Sequence, residues 1–217
     1  MNRTALISPA RLWHDPPRRS GFWRGLQIMT HLLRKIRNRL LNRFVGALGA
    51  ISVPGTPLVG ALQAWALRSM GASCPHDTLW IGPEVWFDHP ENITFGERVT
   101  LNPDSRITAF DRVVIGDDFL AAPGLSINAG THDLATLAPA SAPVVVGHRV
   151  WCGARVTICA GVELGDDAVI GAGAVVVRSL PARQVCLGVP ARPVRDITAL
   201  REAAGRVWSN FSRRPPA

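Results

Sequence analysis

The stretch PVVVGHRVWCGARVTICAGVELGDDAVIGAGAVVVRS, residues 143–179, decides the fold. Written in sixes from Val144 it reads VVVGHR, VWCGAR, VTICAG, VELGDD, AVIGAG, AVVVRS. The first and third residues of each six are mostly aliphatic, and the fourth is often glycine. Two apolar residues at i and i+2 lie on one face of a short strand. Gly, Asn and Asp tolerate the positive φ that a tight corner requires. A strand and a corner every six residues wind a parallel β-solenoid, with three sixes to a triangular coil and each aliphatic layer stacked on the next. A helical period of 3.6 does not fit this beat. The short strands of a two-sheet sandwich do not keep an unbroken phase of six.

Working outward, the beat continues upstream through Val113, Phe119 and Leu125, and before them Ile93, Val99 and Ser105. Leu79 and Val85 begin an earlier turn. Two-residue slips separate these sets, and one larger break follows. Leu125 to Val144 takes nineteen steps, thirteen more than one repeat, and His132 stands near the start of the excess. Because solenoid rungs are self-similar, chemistry is expected where the pattern departs, in the loop at 128–143.

The basic surplus is confined to the front of the chain. Residues 1–76 hold eleven Arg and Lys against one acid, Asp15, while the whole chain of 217 residues carries +8. This is an asymmetry between regions rather than a nucleic-acid footprint along the molecule. Within it, 22–48 reads as an amphipathic helix: Phe22, Leu26, Met29, Leu33, Ile36 and Leu40 recur at spacings of three and four, with Arg34, Lys35, Arg37, Arg39 and Arg43 between them. A more apolar helix is expected over 58–70, and a short amphipathic helix over 197–211. Neither front helix reads as a membrane span: the first holds too many charges and the second is too short. They are expected to cap the solenoid, to rest on anionic lipid through residues 16–76, or both. The four cysteines form no CxxC pair, so neither a zinc site nor a disulfide framework is expected, which fits a reducing compartment.

Four segments resemble the hexapeptide acyltransferases: VWFDHPENITFGERVTLNP, GTHD, the quoted stretch continued through Leu180 and Pro181, and GVPARPVR. They are most similar to the sugar O-acetyltransferase branch, comprising the maltose, galactoside and nodulation-factor enzymes and the colanic-acid-type exopolysaccharide enzymes. The resemblance implies a mainly β fold, a left-handed parallel β-helix with N-terminal α-helices and a short C-terminal helix. The expected division is a basic helical region at 1–76, the β-helix at 77–195 and a tail at 196–217. The resemblance also implies a homotrimer, with acetyl-CoA as co-substrate and no metal.

By the same resemblance, His132 takes the proton from an acceptor hydroxyl as that oxygen attacks the thioester. An imidazole with an ordinary pKa of about 6.5 is available as a neutral base near pH 7. The position matching the family's backbone donor to the oxyanion is Ala154. Trp151 either walls the cleft or is an outer-face apolar residue. Gly153 and Ala172 would let the pantetheine arm approach the backbone, and Arg178, Arg192 and Arg195 match basic positions at the phosphate end. Asp88 and Asn102 match positions that contact sugar hydroxyls, though either residue type also suits a corner. Asp133, next to His132, is a candidate to orient the imidazole and face the acceptor. Cys152 replaces an inward aliphatic residue, so direct transfer is expected rather than an acyl-cysteine.

The implied activity is acetylation of a saccharide hydroxyl in exopolysaccharide or cell-surface glycan assembly, on an acceptor either free or lipid-linked. It is placed in the cytoplasm, at the inner face of the membrane if the front helices touch lipid. Alternatives on the same fold are a serine or antibiotic O-acetyltransferase, and a solenoid scaffold without catalysis.

Overall fold

The computed structural model describes residues 21–204. The chain passes through three parallel sheets in cyclic order, so its strands build the three faces of a triangular prism. The first face stacks Trp80–Ile81, Thr100–Leu101, Leu120–Ala121, Trp151–Cys152, Val169–Ile170 and Gln184–Leu187. The second stacks Trp86–Asp88, Arg106–Thr108, Ser126–Asn128, Thr157–Ile158 and Val175–Val176. The third stacks Ile93–Phe95, Val113–Ile115, Val144–Val146 and Glu163–Leu164.

The six-residue beat is the inside of this prism. From Val144 to Val176 the first and third residue of every six is buried: Val144 and Val146, Val150 and Cys152, Val156 and Ile158, and onward in step. Register stacks like on like, with Phe87 over Ile107 and Ile107 over Ile127. Each buried Ile, Leu or Phe contributes about 1.5–3 kcal/mol relative to exposure. Because every layer is covered by the next, the terminal layers need covers.

The N-terminal cover is made by α1 (Gly21–Ala50), α2 (Pro57–Met70) and the segment after them. Each of the three sheets begins on a strand whose outer edge has no further strand of the sheet beside it, and each edge is met by one residue. On the second face the Asn42 carboxamide oxygen accepts from Phe87 N at 3.0 Å while its Nδ2 donates to Phe87 O at 3.2 Å. On the first face Gln63 does the same at Ile81, accepting from its N at 3.0 Å and donating to its O at 2.7 Å. On the third face Ser73 bridges Thr94, with its N donating to Ile93 O and its O accepting from Phe95 N. Two side-chain amides and one backbone segment thus replace a missing coil.

At the other end the chain departs from a further rung. After Gly188, which holds φ 95, Arg192–Asp196 returns antiparallel to Gln184–Leu187. The helix expected over 197–211 is observed as α3, Thr198–Ala204; Val207 and Trp208 lie outside the described residues, as do residues 16–20.

The three edges of the prism differ in chemistry. Between the third and first faces, Arg98, Asp118, Arg149, Asp167 and Arg183 occupy the same corner position on successive rungs, all at positive φ between 52 and 60. Their charges alternate up the column, with Arg98–Asp118 at 2.5 Å, Arg149–Asp167 at 2.8 Å and Arg183–Asp167 at 4.0 Å. Between the first and second faces the matching corner residues are Pro83, Pro103, Pro123, Ala154 and Ala172. Between the second and third faces the chain makes its insertions. Both two-residue slips, at 89–92 and 109–112, and the thirteen-residue break fall on this one edge.

Candidate active site

The break is a short ribbon. Gly130–His132 pairs antiparallel with Pro139–Ser141, with His132 opposite Pro139 near the turn and Gly130 opposite Ser141 at the base. The ribbon is anchored at its base and free at its tip. Ser141 Oγ donates to Asp111 Oδ2 at 3.3 Å, Ala142 N donates to Ala129 O, and the Asn128 carboxamide oxygen accepts from Gly130 N at 3.0 Å. Gly130 lets the Phe110 ring lie against the ribbon: a Cβ there would come 2.4 Å from the ring, which would have to shift. His132 is exposed, and no described residue is hydrogen bonded to its imidazole.

Asp133 serves the turn. Its Oδ1 accepts from Thr136 Oγ1 and Thr136 N, both at 2.8 Å, and from Ala135 N at 3.1 Å. Those bonds, the Thr136 hydroxyl foremost, hold its carboxyl below the ordinary value. Its contacts fix the shape of the tip that carries His132 and leave the imidazole to other partners.

The proline edge holds the second group. Gly153 lies tight against the rung above, where a Cβ would fall 2.6 Å from Ala172 N. The column of corner residues loses its prolines at Ala154. Pro83, Pro103 and Pro123 have no N–H, whereas Ala154 has one and donates it to no acceptor among the described residues. Ala154 O accepts from Gly173 N at 2.8 Å, so the peptide is fixed while its neighbour's donor stays open. Trp151, one residue outward of buried Cys152, is 40% exposed on the first face beside this edge. Burial pushes the Cys152 thiol up to about 12, which removes the thiolate a nucleophile needs.

The arginines lie on the last coil, all exposed. In the antiparallel pair, Arg192 faces Leu187 and Arg195 faces Val185, with Val194 bulged between them. That extra residue puts Arg192 and Arg195 on one face, although residues three apart in a regular strand point oppositely. Ala191 N donates to Val175 O, so Arg192 emerges beside the strand that Arg178 leaves two residues later. Their spread at one end suits the separated phosphates of a nucleotide thioester.

The acceptor candidates are already engaged. Asp88 Oδ2 accepts from Arg106 Nη2 at 2.5 Å, and its Oδ1 accepts from Trp86 Nε1 at 3.0 Å. Asn102 donates its Nδ2 to Ala121 O at 2.7 Å, which is a corner-locking role. Asp88 sits at the end of its strand next to the insertion edge, and Asn102 sits on the proline edge two rungs from Ala154.

Within one chain these residues therefore form two groups rather than one. His132 and Asp88 border the insertion edge; Gly153, Ala154, Ala172 and Asn102 border the proline edge. The second face separates them, on the order of 13 Å at 3.3 Å per residue. Sequence reasoning passed over His89 and Phe110 on the insertion edge. Their rings pack 5.0 Å apart, His89 at φ 55, and Phe110 supports the ribbon at Gly130. The signal was present as the two slips in the beat, each of which marks one of these corners. Among the described residues no three His, Cys, Asp or Glu gather as metal ligands.

A family model for the hexapeptide repeat of succinyl-transferase matches residues 143–178. The galactoside O-acetyltransferase of Escherichia coli (strain K12) is 34% identical over 126 residues, 56% of this chain and 62% of that one. The chain thus spans under two thirds of that relative's length. A galactoside acetyltransferase solved in complex with coenzyme A superposes with a TM-score of 0.63 at 28% identity, covering 78% of this chain and 83% of that one. An Escherichia coli (strain K12) protein named as a colanic acid biosynthesis acetyltransferase is 30% identical over 136 residues, 62% of this chain and 74% of its own length. Six-residue rungs, the matched hexapeptide repeat and a relative 30% identical over 74% of its length lead to one conclusion: the chain belongs to the hexapeptide-repeat acetyltransferase family.

Proposed function

We propose that this protein transfers acetyl from acetyl-CoA to a hydroxyl of a saccharide, in the assembly of exopolysaccharide or another cell-surface glycan. The observation that carries the reading is the change from Pro83, Pro103 and Pro123 to Ala154 in one corner column, which opens a rigid N–H on the edge matched to the thioester. His132, on the exposed ribbon, takes the proton of the acceptor hydroxyl. The Ala154 N–H donates to the oxygen on which charge develops, and being fixed it costs no reorganisation. Arg178, Arg192 and Arg195 meet the phosphates, Gly153 and Ala172 admit the pantetheine arm, and Trp151 walls the cleft. Asp88 and Asn102 contact the acceptor, and Asp133 shapes the tip. With Cys152 buried and its thiol held protonated, acetyl passes directly between the two substrates.

The two groups lie on different edges, so the reading includes a homotrimer in which His132 of one copy meets Ala154 of the next. Residues 77–195 are the catalytic unit, 1–76 the cap and contact region, and 196–217 the tail. No described helix is long and apolar enough to cross a membrane. The reading includes an acceptor either free or lipid-linked, and for a lipid-linked one a protein peripheral at the inner face of the cytoplasmic membrane.

The test is acceptor-dependent thiol release from acetyl-CoA across sugars, nucleotide-sugars, lipid-linked glycans, serine and aminoglycosides, with Ala154→Pro beside wild type. Proline is native at three equivalent corners, so the variant keeps the fold and loses only the donor. A fall of about 10²–10³-fold in kcat with a saccharide acceptor is expected. Turnover with serine or an aminoglycoside alone would overturn the saccharide reading, and unchanged turnover would overturn the role of Ala154.

A further inference from the structure

Among the described residues of α1, the buried ones lie in its C-terminal half. Asn42, Val45, Gly46 and Gly49 are buried against α2 and the first coil, and Leu41 packs partly against the core. Half a helical turn away, Met29, Leu33, Ile36, Leu40 and Phe44 recur at spacings of four and three along the opposite face. They are 52%, 58%, 46%, 62% and 38% exposed. Ile36 is nine positions from Val45, which at 3.6 residues per turn sets them on opposite sides of the helix. α2 continues the apolar surface: Trp65, 54% exposed, meets Phe44 edge-on with ring centroids 6.5 Å apart.

The flanks of this stripe are basic. Lys35 and Arg39 line one side and Arg37 the other, with Arg43 between, and all four are exposed. Residues 1–76 carry eleven cations against one acid. A second protein surface has no need of so one-sided a rim, whereas an anionic bilayer offers both an apolar interior and a negative headgroup layer. The helix is also held in a defined attitude. Arg34 pairs with Glu91 at 3.6 Å and Asn42 brackets Phe87, so α1 lies along the start of the insertion edge. The rung that carries the His132 ribbon is two rungs away, on the order of 10 Å.

We propose that the outward stripe of α1, extended by Trp65, docks on an anionic lipid bilayer and holds the insertion edge beside that surface. The inference deepens the peripheral placement proposed above by naming the surface and its orientation, and it does not depend on acetyl transfer.

The experiment floats the full-length protein with vesicles of phosphatidylcholine plus phosphatidylglycerol, and with phosphatidylcholine alone. It compares wild type with the double variant Ile36→Asp, Leu40→Asp and with His132→Ala. Wild type and His132→Ala are expected to float with the anionic vesicles only, and less as salt rises. The double variant is expected to partition at least about tenfold less, with its denaturation midpoint and assembly state unchanged, since both sites are exposed. Flotation of the double variant equal to wild type would overturn the proposal, as would failure of wild type to float. A smaller assembly for the double variant, with no flotation of wild type, would assign the stripe to contacts between copies instead. Because docking is read by flotation alone, a wild type that binds vesicles but transfers no acetyl to any acceptor would count against acetyl transfer and not against docking.

Discussion

Asn42 on α1 and Phe87 on the first strand of the second face, 45 positions apart, exchange two hydrogen bonds at 3.0 and 3.2 Å, as a neighbouring strand would. Gln63 and Ile81 repeat the arrangement on the first face. Both amides are buried, Asn42 at 2% and Gln63 at 0% exposure. The helices thus cap the solenoid by hydrogen bonding as well as by apolar cover.

Removing either amide strands a buried N–H and a buried C=O at once. Asn42→Leu or Gln63→Leu is expected to cost about 2–4 kcal/mol, since each unsatisfied buried group costs roughly 1–3 kcal/mol. The check is the shift in urea denaturation midpoint. A shift equivalent to less than about 0.5 kcal/mol would mean that apolar packing alone holds the cap.

The charged column predicts a dependence of stability on acid. Burial acts to raise the Asp167 carboxyl, but the hydrogen bonds and charge of Arg149, with Arg201 and Arg183 nearby, outweigh it and hold the group below its ordinary value. A carboxyl depressed in the folded state contributes stability that is present above its unfolded pKa and is lost as pH falls through the folded one. Asp167→Asn is therefore expected to be less stable than wild type at neutral pH, with the gap closing below about pH 3.9. Denaturation midpoints measured across pH decide it; a gap that does not narrow in acid would show that Asp167 acts through packing rather than charge.

Direct transfer predicts that no thiol is needed. Cys152 is fully buried and its thiol is pushed up to about 12, and burial also raises Cys159 and Cys186. Cys152→Ala is expected to keep kcat within about threefold of wild type while costing some stability through the cavity it leaves. Rapid-quench analysis should find no acetyl bound to protein. Covalent acetyl that disappears in the variant would establish an acyl-cysteine route.

The prism was legible in the sequence because its cause is local and repeated. A buried pair at Val150 and Cys152, then at Val156 and Ile158, is visible without knowing what covers it. The ribbon was legible as an interruption, though its pairing of His132 with Pro139 was not, since two short polar segments carry no strand period. Asn42 and Gln63 were invisible as caps because their partners lie 45 and 18 positions away, and a polar residue on an amphipathic helix reads as solvated. Arg192 and Arg195 read as neighbours on a basic end, but their common face depends on the bulge at Val194, which only pairing reveals. The assignment of Asp88 and Asn102 to the acceptor rested on likeness, and both have structural partners of their own in Arg106 and Ala121.

The central claim is that the site is completed between copies, by His132 of one and Ala154 of another. The most direct measurement co-refolds His132→Ala with Ala154→Pro in equal amounts and assays acceptor-dependent thiol release against each variant alone. Each variant alone is expected to fall by about two orders of magnitude or more. The mixture is expected to regain about a quarter of wild-type activity, the share of interfaces that join an intact His132 to an intact Ala154 in a randomly mixed cyclic assembly. Mixed assemblies that form but stay as silent as their parents would contradict the account and place both groups in a single chain.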